Sequence, residues 1–260
     1  MYFIRTNKQK VFTIPVSTLH RAFIQISAIM LLLSSCNCIA QIGYGPEIAV
    51  GISTFKFVPP SYPIIYTSST VTPMLSGKIG GIVDLPLTKH TSVQAGVALS
   101  RKGAERTFAY HYNDSFNEKV SQQLTINYFE ATVCLLYKTG IQGKGRFVIE
   151  LGASPAYIIG GQDKYEDIGV ANGAPFVFRG TNKINVGKTL KGFDIGMILT
   201  AGYELPTGLY FRAYYTSGVS DIGVQTEVVK NRVAGIAIGY MLGKGRNINK
   251  ETDDLIDRTP

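Results

Sequence analysis

The stretch that decides the fold is FDIGMILTAGYEL, residues 193–205, in which apolar and polar residues alternate. One parity is apolar and carries Phe193, Ile195, Met197, Leu199, Ala201 and Tyr203. The other parity is polar or glycine, with Ile198 as the exception. Because successive side chains of a β-strand point to opposite faces, this segment predicts a strand with one apolar face. That face could pack in a soluble core, or it could contact lipid.

The same alternation recurs along the chain and predicts eight strands. They cover about residues 43–55, 76–86, 91–102, 124–138, 145–158, 192–205, 208–217 and 230–242. Helical periodicity is absent over any comparable length. The 28 glycines and 15 tyrosines among 260 residues agree with β structure rich in turns. The sequence therefore predicts an all-β protein.

The connections between these segments are alternately long and short. The long ones are residues 56–74, 103–123 and 159–191, and the short ones are 87–91, 139–145 and 206–208. In an up-and-down barrel, alternate connections lie at opposite ends, so the two ends are unequal here. Barrels of the bacterial outer membrane have short periplasmic turns and longer external loops. The alternation thus favours a membrane barrel with long external loops.

Aromatic residues at the two ends of the apolar faces support the same interpretation. The fifth and sixth strands run from Phe147 to Tyr157 and from Phe193 to Tyr203, with mainly aliphatic residues between. Ten residues, at about 3.3 Å each and tilted by about 40°, span roughly 25 Å, the height of the apolar band of such barrels. Strand direction sorts the rings into a short-turn set, Tyr137, Phe147, Tyr203 and Tyr240, and a long-loop set, Phe129, Tyr157, Phe193 and Tyr215.

The opposite parity is predicted to face the interior. Among glycines, serines and threonines it carries Glu47, Lys78, Asp84, Glu130, Arg146, Glu150, Asp194, Glu204 and Arg212. Unpaired charges in a dry core would cost several kcal/mol each, so a water-containing or internally paired lumen is expected. We predict an eight-stranded antiparallel up-and-down transmembrane β-barrel. Since such an interior is just wide enough for side chains to fill, we expect a plugged lumen; a polar pathway or proton relay through Glu130, Glu150 and Arg212 is the alternative.

The first 40 residues predict export. They contain Arg5, Lys8, Lys10 and Arg21 with no acidic residue, followed by AFIQISAIMLLLSS and small residues. This order is typical of a secretory signal peptide, with cleavage after Ala40. The stretch LSSC, residues 33–36, also resembles a lipobox that would acylate Cys36. The predicted domains are a signal peptide at 1–40, an outer-membrane barrel at 41–242 and a flexible periplasmic tail at 243–260.

Charge and cysteine content exclude several classes of protein. Removal of residues 1–40 lowers the formal charge from +8 to +4, which is too weak and scattered to predict nucleic-acid binding. It also leaves Cys134 as the single cysteine, so no disulfide framework can form. No apolar run after residue 40 approaches the ~20 residues of a membrane-spanning helix.

Three motifs in the C-terminal third, residues 193–205, 215–221 and 230–232, resemble those of the PorT-like outer-membrane β-barrel family of Gram-negative bacteria. NYFEATVCLLYK, residues 127–138, resembles a further strand of that family, although Ala131 and Thr132 stand where a proline is common. The resemblance covers most of residues 41–242 and implies an eight-stranded barrel in the outer membrane, without a known active site. Family members tend to end on the last strand, whereas this chain continues for 18 residues after Leu242.

Motifs that could support catalysis are weak. The GKT at 187–189 lacks the earlier glycine of a phosphate loop, since position 182 is Asn182. His90 and His111 are predicted at opposite ends of the barrel, which argues against a shared metal or acid–base site. A loop hydrolase built on His111 and Asp114, with Glu105 also near in sequence, is the remaining enzymatic alternative. Cys134 is predicted to face inward and to be inert.

We therefore expect a non-enzymatic protein with no catalytic, cofactor-binding or metal-binding residues and no cofactor. Its predicted role is structural, or one of binding through external loops, with residues 57–66 and 110–114 as the candidate recognition segments. The alternative is a small pore or a component of an envelope secretion or transport machine. The expected partners are outer-membrane lipid and, through the loops, other envelope proteins or an external ligand, but no nucleic acid. We expect a monomer in the outer membrane of a Gram-negative bacterium.

Overall fold

The computed structural model describes residues 42–58, 68–88, 90–113, 116–140, 145–171, 173–223 and 228–243. The predicted signal peptide at 1–40, nearly all of the predicted tail at 243–260, and Asp114 lie outside the described residues. Most of the candidate recognition segment 57–66 does as well. Among the described residues there is no helix long and apolar enough to cross a membrane.

The described chain forms nine strands joined mostly by short connections. They are β1 (Gly43–Val58), β2 (Ser68–Pro86), β3 (Thr91–Asn113), β4 (Phe116–Lys138), β5 (Arg146–Ala171), β6 (Ala174–Lys183), β7 (Phe193–Glu204), β8 (Leu209–Gly218) and β9 (Val228–Tyr240). Eight of them close a ring in the order β1–β2–β3–β4–β5–β7–β8–β9, and β9 pairs back with β1. All of these pairs are antiparallel. The predicted eight-stranded up-and-down barrel is confirmed.

The strands extend further at one end of the ring than the sequence predicts. The prediction of long connections at 103–123 and 159–191 is wrong, because β3 and β4 run through the first and β5 and β6 occupy most of the second. The ninth strand, β6, pairs with β5 from Gln162 to Ala171, beyond the ring. We call this sheet, made of residues 68–73, 103–113, 116–127, 160–171 and β6, the outer extension. The rest of β2 to β5 belongs to the ring.

Aromatic side chains form two bands on the outside of the ring. Every ring predicted to face outward is exposed or half-exposed: Phe129, Tyr137, Phe147, Tyr157, Phe193, Tyr203, Tyr215 and Tyr240. Phe129, Tyr157 and Phe193 are direct neighbours across β4, β5 and β7. Near the short turns, Phe147 packs edge-on against Tyr203 with ring centroids 4.9 Å apart. The predicted outward orientation of the apolar parity is therefore confirmed, and Phe211, beside Tyr203, is a further member.

The polar parity lines the inside of the ring. All nine charged residues predicted to face inward are buried or largely buried. Ile198, the exception in the alternation, lies inside with Cys134, Leu136 and Val148 in a small apolar cluster. Gly239 leaves the space that the Tyr210 ring occupies, since a Cβ at this glycine would lie 2.1 Å from the Tyr210 hydroxyl. The interior is thus packed with charges and large rings, with glycine where space is short.

Candidate functional site: a filled lumen and an outer extension

Arg212 of β8 occupies the middle of the ring and links three other strands. Its Nη1 lies 2.5 Å from a carboxylate oxygen of Glu150 on β5 and donates to Oε1 of Gln94 on β3 at 2.8 Å. The same nitrogen is 3.9 Å from Glu47 of β1. The guanidinium also lies over the Tyr210 ring, 4.1 Å from its centroid. A single buried side chain thus connects opposite walls of the barrel.

Glu47 extends this network toward the neighbouring strand. Its carboxylate is 2.8 Å from Nζ of Lys78 on β2 and accepts a hydrogen bond from the Tyr210 hydroxyl at 3.2 Å. The Lys78 ammonium is also 5.4 Å from the centroid of the Tyr214 ring. Because both carboxylates near Arg212 are paired, the middle layer is close to charge balance.

A second layer lies near the short turns. Lys138 at the end of β4 contacts Asp84 of β2 and is 3.5 Å from Glu204 of β7. Glu204 also forms an ion pair with Arg146 of β5 at 2.7 Å. Along the line of contacts from Asp84 through Lys138 and Glu204 to Arg146, acidic and basic side chains alternate, so the layer is held by attraction across the interior.

A third charged layer lies toward the outer extension. Lys102 of β3 forms an ion pair with Glu130 of β4, which also accepts a hydrogen bond from Ser100 at 2.7 Å. The Lys102 ammonium lies 4.9 Å from the centroid of the buried Tyr128 ring. Glu130 is therefore held by two side chains of the neighbouring strand β3, and it is not among the partners of Arg212 described above.

An apolar cluster covers the charged layers at the outer end of the ring. We call it the apolar cap; it consists of Phe55, Ala104, Leu124, Ile126, Tyr128, Ala156, Ile158, Ile184, Leu190, Ile222 and Val229. Three of these residues, Ile184, Leu190 and Ile222, come from the connections that follow β6 and β8. Two cavities border the charged layers, and each has about 10 Å³, room for about one water molecule.

The candidate relay residues are thus only partly brought together. Glu150 and Arg212 are in contact, whereas Glu130 is paired with Lys102. Lys102 and Lys138 also belong to the interior, although neither is among the charged residues predicted to face inward. Lys138 shares the inward parity of Glu130 and Cys134, so its position was available from the alternation.

The remaining motifs are separated from one another. His90 lies in the exposed β2–β3 turn, where its Nδ1 is 3.1 Å from the Lys138 carbonyl oxygen. His111 lies near the far end of β3, opposite Asn117 of β4, and its side chain is outside the described part. The GKT at 187–189 forms a turn with a positive φ at Gly187. Within the described ranges no cluster of His, Cys, Asp or Glu could hold a metal ion.

The outer extension offers a different surface from the ring. An open cleft of about 490 Å³ is lined by polar side chains, including Glu105, Ser121, Lys164 and Thr181. At the end of the extension, β6 pairs with β5 alone among the described strands. Its Phe176 and Phe178 rings lie 5.5 Å apart, and Phe178 is 61% exposed.

A closed ring of eight antiparallel strands, with an aromatic-bordered apolar exterior and a polar interior, defines an outer-membrane β-barrel. Residues 34–223 match the family described as outer membrane protein beta-barrel domain. The match covers most of the chain, and the chain belongs to that family. It is an outer-membrane protein.

Several solved outer-membrane structures are similar to this chain. Ail, the attachment invasion locus protein of Yersinia pestis, is 12% identical with a TM-score of 0.35, and the similarity covers 78% of this chain and 99% of Ail. Neisserial surface protein A is 10% identical with a TM-score of 0.35, covering 76% and 96%. OprG from Pseudomonas aeruginosa is 9% identical with a TM-score of 0.34, covering 78% and 95%. No curated protein matches the chain.

Proposed function

We propose that this protein is a closed outer-membrane barrel that acts in structure or binding through its outer extension, and not by conducting solutes. The observation that carries the proposal is the paired interior: Arg212 bridges Glu150 and Glu47 across the ring, and the apolar cap covers the outer end. Opening a path would separate buried charges, and breaking one buried pair costs about 3–5 kcal/mol. A rigid, filled ring is suited to holding a surface outside the membrane.

Conductance in planar bilayers tests the closed state. The wild-type barrel is expected to give no sustained current. Heat-dependent gel mobility of the same preparation shows that the barrel has inserted, so that an absence of current reports on the lumen and not on failed insertion. A persistent open state of the wild-type protein would contradict the proposal and favour the small pore of an envelope machine.

The binding role is supported by β6 and the cleft beside it. Strand β6 has one edge without a paired strand among the described residues, and exposed edges can pair with an extended segment of another chain. Phe178 and Val177 are both more than half exposed on this strand. We propose that an external ligand or another envelope protein contacts this surface.

Pull-downs from intact outer membranes test this role. The wild-type protein is compared with a variant in which residues 163–182 are replaced by Asn-Gly. A partner is expected to be captured by the wild-type protein and lost with the shortened variant. Equal capture by both would place binding elsewhere and contradict the role of the extension.

We also propose that the chain is PorT-like, monomeric and not an enzyme, and that residues 1–40 and 243–260 act as signal peptide and periplasmic tail. The PorT-like motif at 230–232 lies near the start of β9, and residues 215–218 end β8, as the resemblance implies.

Light scattering of the detergent-solubilised protein tests whether it is a monomer. A hydrolase screen tests the enzymatic alternative. If the wild-type protein shows activity and a His111→Ala variant keeps it, the loop hydrolase built on His111 is ruled out.

A further inference from the structure

Three cations cluster on the outside of the barrel where its first and last strands meet. Lys56 of β1 lies directly opposite Lys230 of β9, and Arg232 lies opposite Thr54 one row closer to the membrane. The register and the burial pattern place all three on the lipid-facing parity with Ile52 and Ile236. We call Lys56, Lys230 and Arg232 the seam patch.

Arg232 lies at the depth of the lipid headgroups, and Lys56 and Lys230 lie just above it. Tyr215, in the outer aromatic band, is opposite Ala234, which is opposite Ile52. Arg232 is two residues beyond this row and Lys56 four, so they lie about 5 Å and about 10 Å above it for strands tilted by about 40°. The headgroup region is about 5–8 Å thick on each side of the bilayer. Lysine side chains can also bend back toward it.

The patch lacks a countercharge in the described part of the chain. Like charges directly opposite each other on adjacent strands are destabilising, yet Lys56 and Lys230 are placed in this way. Elsewhere on the outer end, Lys191 pairs with Asp221 at 2.7 Å and Arg179 pairs with Glu166. No ion pair involves Lys56, Lys230 or Arg232 among the described residues. The arrangement therefore favours a bound anion.

The surroundings of the patch indicate which anion fits. Below it, the same face continues through Ile52 and Ala234 to Val50 and Ile236, which are exposed and apolar. A ligand with an anionic head and an apolar tail would contact both parts. Thr54 and Ser217 flank Arg232 in the same row and can donate hydroxyl hydrogen bonds to a phosphate oxygen.

We propose that the seam patch binds the phosphate-bearing headgroup of a lipid in the outer leaflet. The bound phosphate neutralises the opposed lysines and bridges β1 and β9, the pair that closes the ring. A ligand that binds only the folded barrel raises its thermal stability. Lipid thus surrounds this barrel and also binds specifically at the seam patch, where β1 pairs with β9.

Lipid binding tests the proposal with phosphatidic acid and phosphatidylcholine as probes. The detergent-solubilised protein is titrated with each lipid, and bound lipid is counted by native mass spectrometry. The test variant is Lys56→Gln, Lys230→Gln, Arg232→Gln. The control, Lys164→Gln, Lys183→Gln, Lys188→Gln, removes the same charge from exposed positions away from the seam. A cation at an anionic lipid surface contributes about fivefold in affinity. Loss of three cations is therefore expected to lower the affinity of the test variant for phosphatidic acid about a hundredfold, and the affinity of the control should change little.

Further measurements make the outcome decisive. Phosphatidic acid should raise the thermal unfolding midpoint of the wild-type and control proteins but not of the test variant. High salt should weaken binding to the wild-type protein, a readout that holds even if the test variant does not fold. Equal binding of the two lipids, or unchanged binding by a folded test variant, would overturn the proposal. Equally strong competition by inorganic phosphate, or patch-dependent preference for polyglutamate, would exclude a lipid as the ligand.

Discussion

Arg212 is the residue on which the middle of the barrel depends. Its side chain is almost fully buried, and its neighbours Glu150 and Glu47 lie on strands at different positions around the ring. Removing one partner of a buried pair leaves a charge without compensation, which costs more than the pair itself contributes. The interior therefore tolerates the loss of a single charged side chain poorly.

We expect Arg212→Ala to lower the free energy of unfolding by about 3–5 kcal/mol. The matched control is Arg179→Ala, which breaks an exposed Arg–Glu pair on β5 and β6 and should cost less than about 1 kcal/mol. Urea unfolding in lipid vesicles, followed by the heat-dependent gel mobility of the folded barrel, measures both. Similar losses for the two variants would show that the buried network does not stabilise the ring.

Asp221 anchors the β8–β9 connection outside the membrane. Burial acts to raise its pKa, but hydrogen bonds from Lys191 and from the amides of Val229 and Gly223 outweigh this and hold the pKa of Asp221 below its ordinary value. A carboxylate with a lowered pKa stabilises the folded connection above its unfolded pKa of about 3.9, and this contribution is lost as pH falls through the lower folded value.

We expect a carbon NMR titration in micelles to place the midpoint of Asp221 below about 3.9. Asp163 of the outer extension is the internal comparison, because burial raises its pKa more than the hydrogen bond from Gln122 lowers it. Asp163 should therefore titrate at a higher pH than Asp221. The reverse order would contradict the anchoring of this connection.

At the scale of the strands, the sequence predicted the strand segments of the membrane-embedded ring well and those of the outer extension poorly. A ring strand has lipid on one face and a packed interior on the other, so its residues must alternate, as in β7. The far end of the outer extension has water near both faces, and β6 shows mostly exposed residues on both parities. Segments 103–123 and 159–191 therefore lacked the pattern that identifies a strand. The alternation of residues along each strand also predicted which charged side chains face inward. It did not predict their ion-pair partners, because these depend on the stagger between strands.

We expect the ring to fold without the end of the extension. In the variant that replaces residues 163–182 with Asn-Gly, β5 still pairs with β7 from Arg146 to Tyr157. The purified variant should insert into vesicles and keep heat-dependent mobility. Deletion of β8 is the control, because it leaves two ring strands unpaired in lipid. Failure of the shortened variant alone would mean that the extension is needed for folding.

At the scale of the whole molecule, we propose that residues 1–40 are removed during export. We expect the intact mass of the protein purified from outer membranes to correspond to a chain that begins at Gln41. An Ala40→Arg variant, which removes the small residue before the cleavage site, should retain the leader. A mass that includes acyl chains on Cys36 would instead support the lipobox interpretation.

The pairing of β1 with β9 has a consequence for how the molecule is made. Glu47 pairs with Gly239, so closure joins residues from nearly opposite ends of the chain. Contacts at such sequence separation form slowly, and an unclosed sheet would leave backbone amides and carbonyls facing hydrocarbon at several kcal/mol each. A chain that lacks β9 therefore cannot close its sheet in the bilayer, and insertion depends on the last strand of the ring.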